Sequence, residues 1–169
     1  MVVLGAGGAA RGIVFGAASR GAAKVIVVNR TRERAEALAA EVEPAGVCTA
    51  ASPEDLDSGG VTGDVLANTT SVGMTPKVDD SPVPAGVAAR FGVVFDAVYN
   101  PRFTRLLREA KEGGAEVADG VEMFVGQVRG GGEGRGCDGN DKCEGGDVCG
   151  AGEGGRGWGM MYEKVEMHW

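Results

Sequence analysis

The chain has 169 residues, carries a formal net charge of −7 at pH 7 and has a sequence pI near 4.8. This length suits one domain with an appendage, and the acidic balance argues against nucleic acid as a partner, because a phosphate backbone attracts basic surfaces. No apolar run approaches the roughly 18 residues that a membrane span requires, so we predict no membrane partner either.

Apolar runs alternate with helix-compatible segments along residues 1–127. The predicted strands are Met1–Leu4, Lys24–Asn29, Gly46–Ala50, Asp64–Asn68, Gly92–Asp96 and the less apolar Ala115–Val117. The predicted helices are Ala9–Ser19, Arg32–Val42, Pro53–Leu56, Phe103–Glu112 and Gly120–Gln127. Thr31 is the expected N-cap of the second helix, and Pro101 lies just ahead of the fourth.

These elements predict the fold class. The Val/Ile runs are continuous rather than alternating, which favours parallel strands that are buried on both faces. Alternation of strands and helices at this spacing predicts an α/β fold, a Rossmann-like doubly wound parallel sheet. Ligands of such sheets bind beyond the carboxyl ends of the strands. Met1–Leu4 is short for a central strand, which usually has about five to six residues, so we expect the sequence to be a piece of a longer protein.

Composition changes abruptly near the end of the predicted domain. Between Gly130 and Gly157, 13 of 28 residues are glycine and hardly any is apolar. Such a segment cannot bury enough surface to offset its backbone entropy. We therefore predict a folded domain over residues 1–127 and a glycine-rich, disordered tail over residues 128–169. Three of the four cysteines lie in that tail without a CxxC pair, so we predict no metal site.

The first strand leads into Gly5-Ala6-Gly7-Gly8-Ala9-Ala10, which has the form G-x-G-G-x-A. In a dinucleotide site Gly5 would permit the tight turn, and Gly7 would let the backbone approach the pyrophosphate. Ala10 replaces the third glycine and still allows close packing of helix on strand. The phosphates would bind the amides that open the first helix, where the dipole favours negative charge. A plain turn is the alternative.

The second strand ends on Asn29-Arg30-Thr31, and Arg34 follows one helical turn later. NAD-binding proteins usually place Asp or Glu here to bind the ribose 2′-hydroxyl. Guanidinium groups instead bind phosphate through charge-assisted hydrogen bonds. The pattern therefore predicts NADP(H), with these residues at the 2′-phosphate. The alternative is a solvated helix start, in which Arg32 and Arg34 merely balance Glu33 and Glu36.

Three later segments begin where strands end or a turn enters a helix: Asn68-Thr69-Thr70-Ser71-Val72-Gly73-Met74, Asp96-Ala97-Val98-Tyr99-Asn100-Pro101 and Gly120-Val121-Glu122-Met123-Phe124-Val125-Gly126-Gln127. The small hydroxyl residues of the first would bring backbone close to a ligand, unless the segment is only a polar turn. Tyr99 could face the reacting groups or be an ordinary half-buried tyrosine. Gln127 could hydrogen-bond a polyol or carboxylate, or be solvated.

These five motifs, in this order over residues 1–127, together resemble the C-terminal NADP-binding domain of the shikimate dehydrogenase family. They look most like the plant enzymes, in which this domain is fused behind a dehydroquinate dehydratase. The family interconverts 3-dehydroshikimate and shikimate with NADPH, in aromatic amino acid and chorismate biosynthesis. The resemblance therefore implies an NADP-dependent oxidoreductase.

The resemblance also implies roles for individual residues. It places five at the cofactor's pyrophosphate: Gly5, Ala6, Gly7, Gly8 and Ala9. It places four at the adenosine 2′-phosphate: Asn29, Arg30, Thr31 and Arg34. It places four along the rest of the cofactor: Asn68, Thr69, Ser71 and Met74. Tyr99 would lie near the substrate and the nicotinamide, and Gln127 would reach the substrate.

One departure from the family limits the expected activity. The family's catalytic Lys-Asp pair belongs to an N-terminal substrate domain, and no lysine or aspartate of residues 1–127 matches that motif. We therefore expect no catalytic residue in this chain, and a small-molecule substrate only together with a substrate domain.

The sequence leaves several alternatives open. These are a quinate dehydrogenase domain, a non-catalytic NADP-binding module and another Rossmann enzyme, such as a relative of glutamyl-tRNA reductase. The segment at residues 68–74 and Gln127 disfavour the last of these. A plant protein of this kind would be plastidial, and any other cytoplasmic.

Overall fold

Six strands and five helices alternate along residues 1–42 and 46–121, the part of the chain that the computed structural model describes. The strands are β1 (Val2–Leu4), β2 (Val25–Val28), β3 (Cys48–Ala51), β4 (Val65–Asn68), β5 (Val93–Asp96) and β6 (Glu116–Asp119). The helices are α1 (Gly8–Ser19), α2 (Arg32–Ala40), α3 (Pro53–Asp57), α4 (Ala85–Ala88) and α5 (Arg105–Glu112).

The six strands form one sheet in the order β3-β2-β1-β4-β5-β6, and every pair is parallel. The first three strands run outward from β1 to β3 on one side of β1. The chain then crosses back, and β4, β5 and β6 follow on the other side of β1. This is the strand order of the dinucleotide-binding fold, whose ligands bind at the carboxyl ends where the order reverses. The predicted doubly wound parallel α/β sheet is therefore confirmed.

Helices cover both faces of the sheet, which is why the four inner strands are apolar up to the carboxyl ends of β4 and β5. One core cluster contains Ile13 and Val14 of α1 against Val3 and Phe95 of the sheet. The cluster on the other face contains Leu107 of α5 together with the strand residues whose side chains point to that face. Each fully buried aliphatic or aromatic side chain contributes about 1.5–3 kcal/mol of transfer free energy. A continuous Val/Ile run is thus the pattern that burial on both faces demands.

Element ends differ from the predicted ones for local reasons. Helix α5 begins at Arg105 rather than Phe103, because the Thr104 hydroxyl accepts a hydrogen bond from the amide of Leu107 and caps the helix. Thr31 occupies the N-cap position of α2, as predicted, but its side chain makes no capping hydrogen bond. The short α4 was not predicted, since four residues carry no helical period.

The predicted tail over residues 128–169 and most of the helix predicted at Gly120–Gln127 lie outside the described residues. Within the described ranges, no helix has the length and apolar character needed to cross a membrane.

Candidate dinucleotide-binding site

Gly5 makes the turn from β1 toward α1, and its neighbours require a glycine there. Its φ is +103°, a conformation that costs L residues strain. A Cβ added at this position would lie 2.8 Å from the Thr69 hydroxyl oxygen. The Gly5 amide donates to the Val28 carbonyl at 2.8 Å, which fixes the turn against the end of β2. Contacts within the protein are therefore sufficient to explain this first glycine.

Gly7 and Gly8 present the opposite situation. Both are exposed, and a Cβ added at either would meet no atom within 4 Å. Gly7 is the N-cap of the twelve-residue α1, whose first turn contains no acidic residue. The first amides of α1 and the positive end of its dipole therefore face open space. This is the arrangement that binds phosphate in dinucleotide folds. Ala10, at the place of the third glycine, is fully buried in the core.

An open cleft of about 360 Å³ lies beside this turn. Four of the predicted cofactor residues line it: Ala6, Gly7, Gly8 and Arg34. The remaining lining residues come from α1 and from α2 with the residue after it: Arg11, Ala37, Leu38 and Glu41. The fold therefore brings the glycine turn and one of the predicted phosphate-binding arginines to the same cavity.

Asn29, Arg30 and Thr31 lie at the end of β2. The side-chain amide nitrogen of Asn29 donates to the Thr31 carbonyl at 2.8 Å and so shapes the loop that presents Arg30. Both Arg30 and Thr31 are exposed, and neither is among the residues lining the cleft.

The two predicted phosphate-binding arginines differ from the other arginines of the described chain. Seven form a side-chain hydrogen bond or ion pair: Arg11, Arg20, Arg32, Arg90, Arg102, Arg105 and Arg108. The guanidinium groups of Arg30 and Arg34 form none with another described residue. Within the described chain, the donors of these two groups are therefore open to water or to a ligand.

Arg11 and Glu41 line the cleft but were not predicted as site residues. Their side chains form an ion pair, and the Arg11 guanidinium lies 5.3 Å from the centre of the Phe15 ring. The hydrogen bond from Arg11 lowers the pKa of the Glu41 carboxyl. Arg11 could have been found from its place on the first turn after Gly7. Glu41 carries no such signal, because its approach depends on how α2 packs.

The loop after β4 lies directly against the glycine turn. The amide and hydroxyl of Thr69 both donate to the Leu4 carbonyl, at 3.0 and 2.6 Å. Ser71 and Met74 are exposed further along this loop. Asn68 is fully buried, so its side chain cannot face solvent. The fold thus brings the predicted residues 68–74 next to Gly5, as ligand binding at the strand ends requires.

The loop after β5 continues the same edge of the sheet. Tyr99 is 59% exposed there, and the amide of Thr75 donates to the Asn100 carbonyl at 3.1 Å, which joins the two loops. Asp96 is buried, and this burial raises the pKa of its carboxyl to about 6. Gly120 packs so closely on this loop that an added Cβ would collide with the Ala97 backbone. The predicted substrate residue Gln127 lies outside the described residues.

Comparisons with known proteins agree with this geometry. The family model described as shikimate / quinate 5-dehydrogenase matches residues 1–91. The chain is 49% identical over 129 residues to the bifunctional 3-dehydroquinate dehydratase/shikimate dehydrogenase, chloroplastic, of Arabidopsis thaliana. It is 45% identical over 135 residues to the shikimate dehydrogenase (NADP(+)) of Methanosarcina mazei. Among solved structures, the shikimate 5-dehydrogenase of Thermus thermophilus in complex with NADP(H) and shikimate matches with a TM-score of 0.61 and 39% identity.

The chain spans only part of these relatives. The matches cover 76% of this chain and 21% of the Arabidopsis protein, and 75% of this chain and 46% of the Methanosarcina protein. The match to the Thermus structure covers 73% of this chain and 44% of that one.

Proposed function

The chain belongs to the shikimate / quinate 5-dehydrogenase family, and from this membership we propose that residues 1–127 are the NADP(H)-binding domain of a shikimate dehydrogenase. The cofactor assignment is carried by two guanidinium groups, Arg30 and Arg34, that have no partner among the described residues, of which Arg34 lines the same cleft as the exposed glycine turn. A 2′-phosphate is the group that distinguishes NADP from NAD. It would supply the acceptor oxygens that these two arginines lack within the described chain.

Each part of the site would hold a different part of the cofactor. The turn from Gly5 to Ala9 would bind the pyrophosphate through backbone amides. Asn29 and Thr31, with the two arginines, would bind the adenosine 2′-phosphate. In the loop after β4, Thr69, Ser71 and Met74 would lie along the rest of the cofactor. The buried Asn68 would hold this loop in shape from beneath. Bound NADPH supplies the hydride, and the role of this chain is to bind and orient it.

The reaction of the complete enzyme would reduce the ketone of 3-dehydroshikimate to shikimate. Tyr99, on the exposed loop after β5, and Gln127 would contribute to the substrate side. No side chain of residues 1–127 matches the family's catalytic Lys-Asp pair, so turnover would require a substrate domain. The Arabidopsis relative is chloroplastic by name, and a plastid location is the corresponding proposal for a plant source.

Quinate is the second candidate substrate, because the matching family model includes quinate dehydrogenases. The cofactor domain does not distinguish the two polyols, whose contacts lie mostly with the substrate domain. A spectrophotometric assay of the 169-residue chain with NADP and either substrate tests whether turnover needs the substrate domain. We expect NADPH binding without oxidation of shikimate or quinate, and turnover of either would contradict the proposed need for a substrate domain.

The cofactor assignment is tested by fluorescence titration of the full chain with NADPH and with NADH. We expect NADPH to bind more tightly than NADH. The Arg30→Ala variant should bind NADPH about tenfold or more weakly than wild type, because a charge-assisted hydrogen bond contributes about 1.5–3 kcal/mol. Arg20→Ala is the matched control, since Arg20 is also exposed but lies at the far end of α1 and bonds the Gly16 carbonyl. Equal NADPH affinity in Arg30→Ala and wild type would refute the 2′-phosphate assignment.

A further inference from the structure

The buried polar side chains of the described fold are concentrated in one place. Across residues 1–42 and 46–121 they are Asn68, Asp96 and Thr104, each with no exposed surface. Asn68 ends β4 and Asp96 ends β5, where the two residues are register partners in neighbouring parallel strands. Burial of a polar group is costly unless it is hydrogen-bonded. A cluster of this kind beside the candidate site therefore calls for an explanation.

Asp96 is the acceptor at the centre of this cluster. Its Oδ1 accepts from the side-chain nitrogen of Asn68 at 2.9 Å and from the amide of Val98 at 3.0 Å. Its Oδ2 accepts from the Thr104 hydroxyl at 2.6 Å. That hydroxyl also accepts from the Leu107 amide, so its proton is free to point at Asp96. Every one of these partners donates to the carboxylate, which matches a group with two acceptor oxygens.

The hydrogen bonds continue from Asp96 toward the glycine turn. Asn68 uses its amide oxygen to accept from the amide and the hydroxyl of Thr70, at 3.0 and 2.7 Å. The Thr70 hydroxyl in turn accepts from the amide of Val72 at 3.2 Å. Thr69, between them, is bonded to the Leu4 carbonyl immediately before Gly5. The conformation of the loop at residues 69–72 is therefore set from beneath by Asn68 and Asp96.

We propose that Asp96 is a positioning residue for the cofactor, whose buried carboxylate holds Asn68 and thereby the loop at residues 69–72 in the conformation that binds NADP(H). The inference rests on the proposed function and adds a residue that does not touch the ligand, since Asp96 has no exposed surface. Thr104 completes the arrangement, because it orients the carboxylate while capping α5. Loss of Asp96 would leave the donors of Asn68, Val98 and Thr104 without their acceptor.

The test measures NADPH affinity of the full chain by fluorescence titration, well below the unfolding temperature. We expect Asp96→Asn to bind NADPH about tenfold more weakly. Thr104→Val, which keeps the side-chain shape but removes the hydroxyl, should weaken binding severalfold, and Thr104→Ser should restore it. Val61→Ala is the stability control, because Val61 is buried ahead of the amino end of β4 and should leave affinity unchanged.

A second measurement separates positioning from a merely structural role. Amide hydrogen exchange of the ligand-free Asp96→Asn chain should be faster at Thr70 and Val72 than in wild type. Wild-type affinity in both Asp96→Asn and Thr104→Val, beside clear NADPH binding by the wild type, would overturn this inference and leave the proposed function standing. Failure of the wild-type chain to bind NADPH would overturn both.

Discussion

The two sides of β1 differ in how their polar side chains are satisfied. On the β2 side, the guanidinium groups of Arg30 and Arg34 bond to no other described residue, and Arg34 lines the same cleft as Gly7, at which an added Cβ would meet no atom within 4 Å. On the β4 side, Asn68 and Asp96 are fully buried and bonded to each other. Both regions lie at the carboxyl edge of the same parallel sheet. They therefore share a location but not a role.

This difference separates residues that bind a ligand from residues that shape its site. A polar group with no partner in the protein needs one from outside, whether water or ligand. A buried group with all its partners in the protein can influence a ligand only by positioning something else. The same distinction divides the glycines, because Gly5 is required by contacts within the protein and Gly7 is not.

The largest expected effect comes from Gly5→Ala. The substitution places a Cβ 2.8 Å from the Thr69 hydroxyl at a residue with positive φ. Strain and overpacking together should lower the free energy of unfolding by about 3–4 kcal/mol. Urea denaturation of the two chains measures this loss. A Gly5→Ala chain as stable as wild type would show that the turn has an alternative conformation.

The pH dependence of stability tests the buried side of the comparison. Burial raises the pKa of Asp96 from 3.8 to about 6, although the hydrogen bonds from Thr104, Val98 and Asn68 lower it. The folded protein thus binds this proton more tightly than the unfolded chain. The resulting stabilisation is present in full below pH 3.8 and is lost as the pH rises through about 6, a change of about 3 kcal/mol.

The corresponding measurement compares urea denaturation of wild type and Asp96→Asn at about pH 4 and about pH 7. The asparagine does not titrate, so it removes this one contribution while the other carboxyl groups remain. The stability of wild type relative to the variant should be greater at the lower pH, by about 2 kcal/mol. A difference that does not change with pH would show that Asp96 does not titrate in this range.

Gly7→Ala tests the open side. Its φ of −95° suits any residue, and the added Cβ meets no protein atom. Stability should therefore fall by less than about 1 kcal/mol, the effect of a poorer N-cap. NADPH affinity should fall about tenfold, because the methyl group would occupy the space that a pyrophosphate needs. A large loss of stability would contradict the distinction between Gly5 and Gly7.

The smallest expected effect is that of Glu41→Gln. Its ion pair with Arg11 is exposed, so the thermal midpoint should hardly change. Removal of the carboxylate charge from the cleft should strengthen NADPH binding about twofold at low salt, and the gain should disappear at high salt. Weaker binding in the variant would indicate that Glu41 assists the cofactor rather than opposing its charge.

Much of the fold could be predicted because the signals are local. Continuous apolar runs such as Val25–Val28 mark the strands, and the glycine turn marks the start of α1. The strand ends alone then place Asn29-Arg30-Thr31 and residues 68–74 at one edge of the sheet. Element ends were less predictable, since Thr104 can be recognised as a cap only from its hydrogen bond to Leu107.

The sequence by itself determined the parallel sheet and its carboxyl edge, and its residue types at that edge predict a phosphate-bearing cofactor, because periodicity and residue type carry that information along the chain. Only the tertiary structure decided that Glu41 faces Arg11 and that Asp96 supports Asn68. These contacts join residues 30 and 28 positions apart, which meet through helix packing and strand register. No local sequence pattern specifies such long-range contacts, and these contacts decide which polar groups remain free for a ligand.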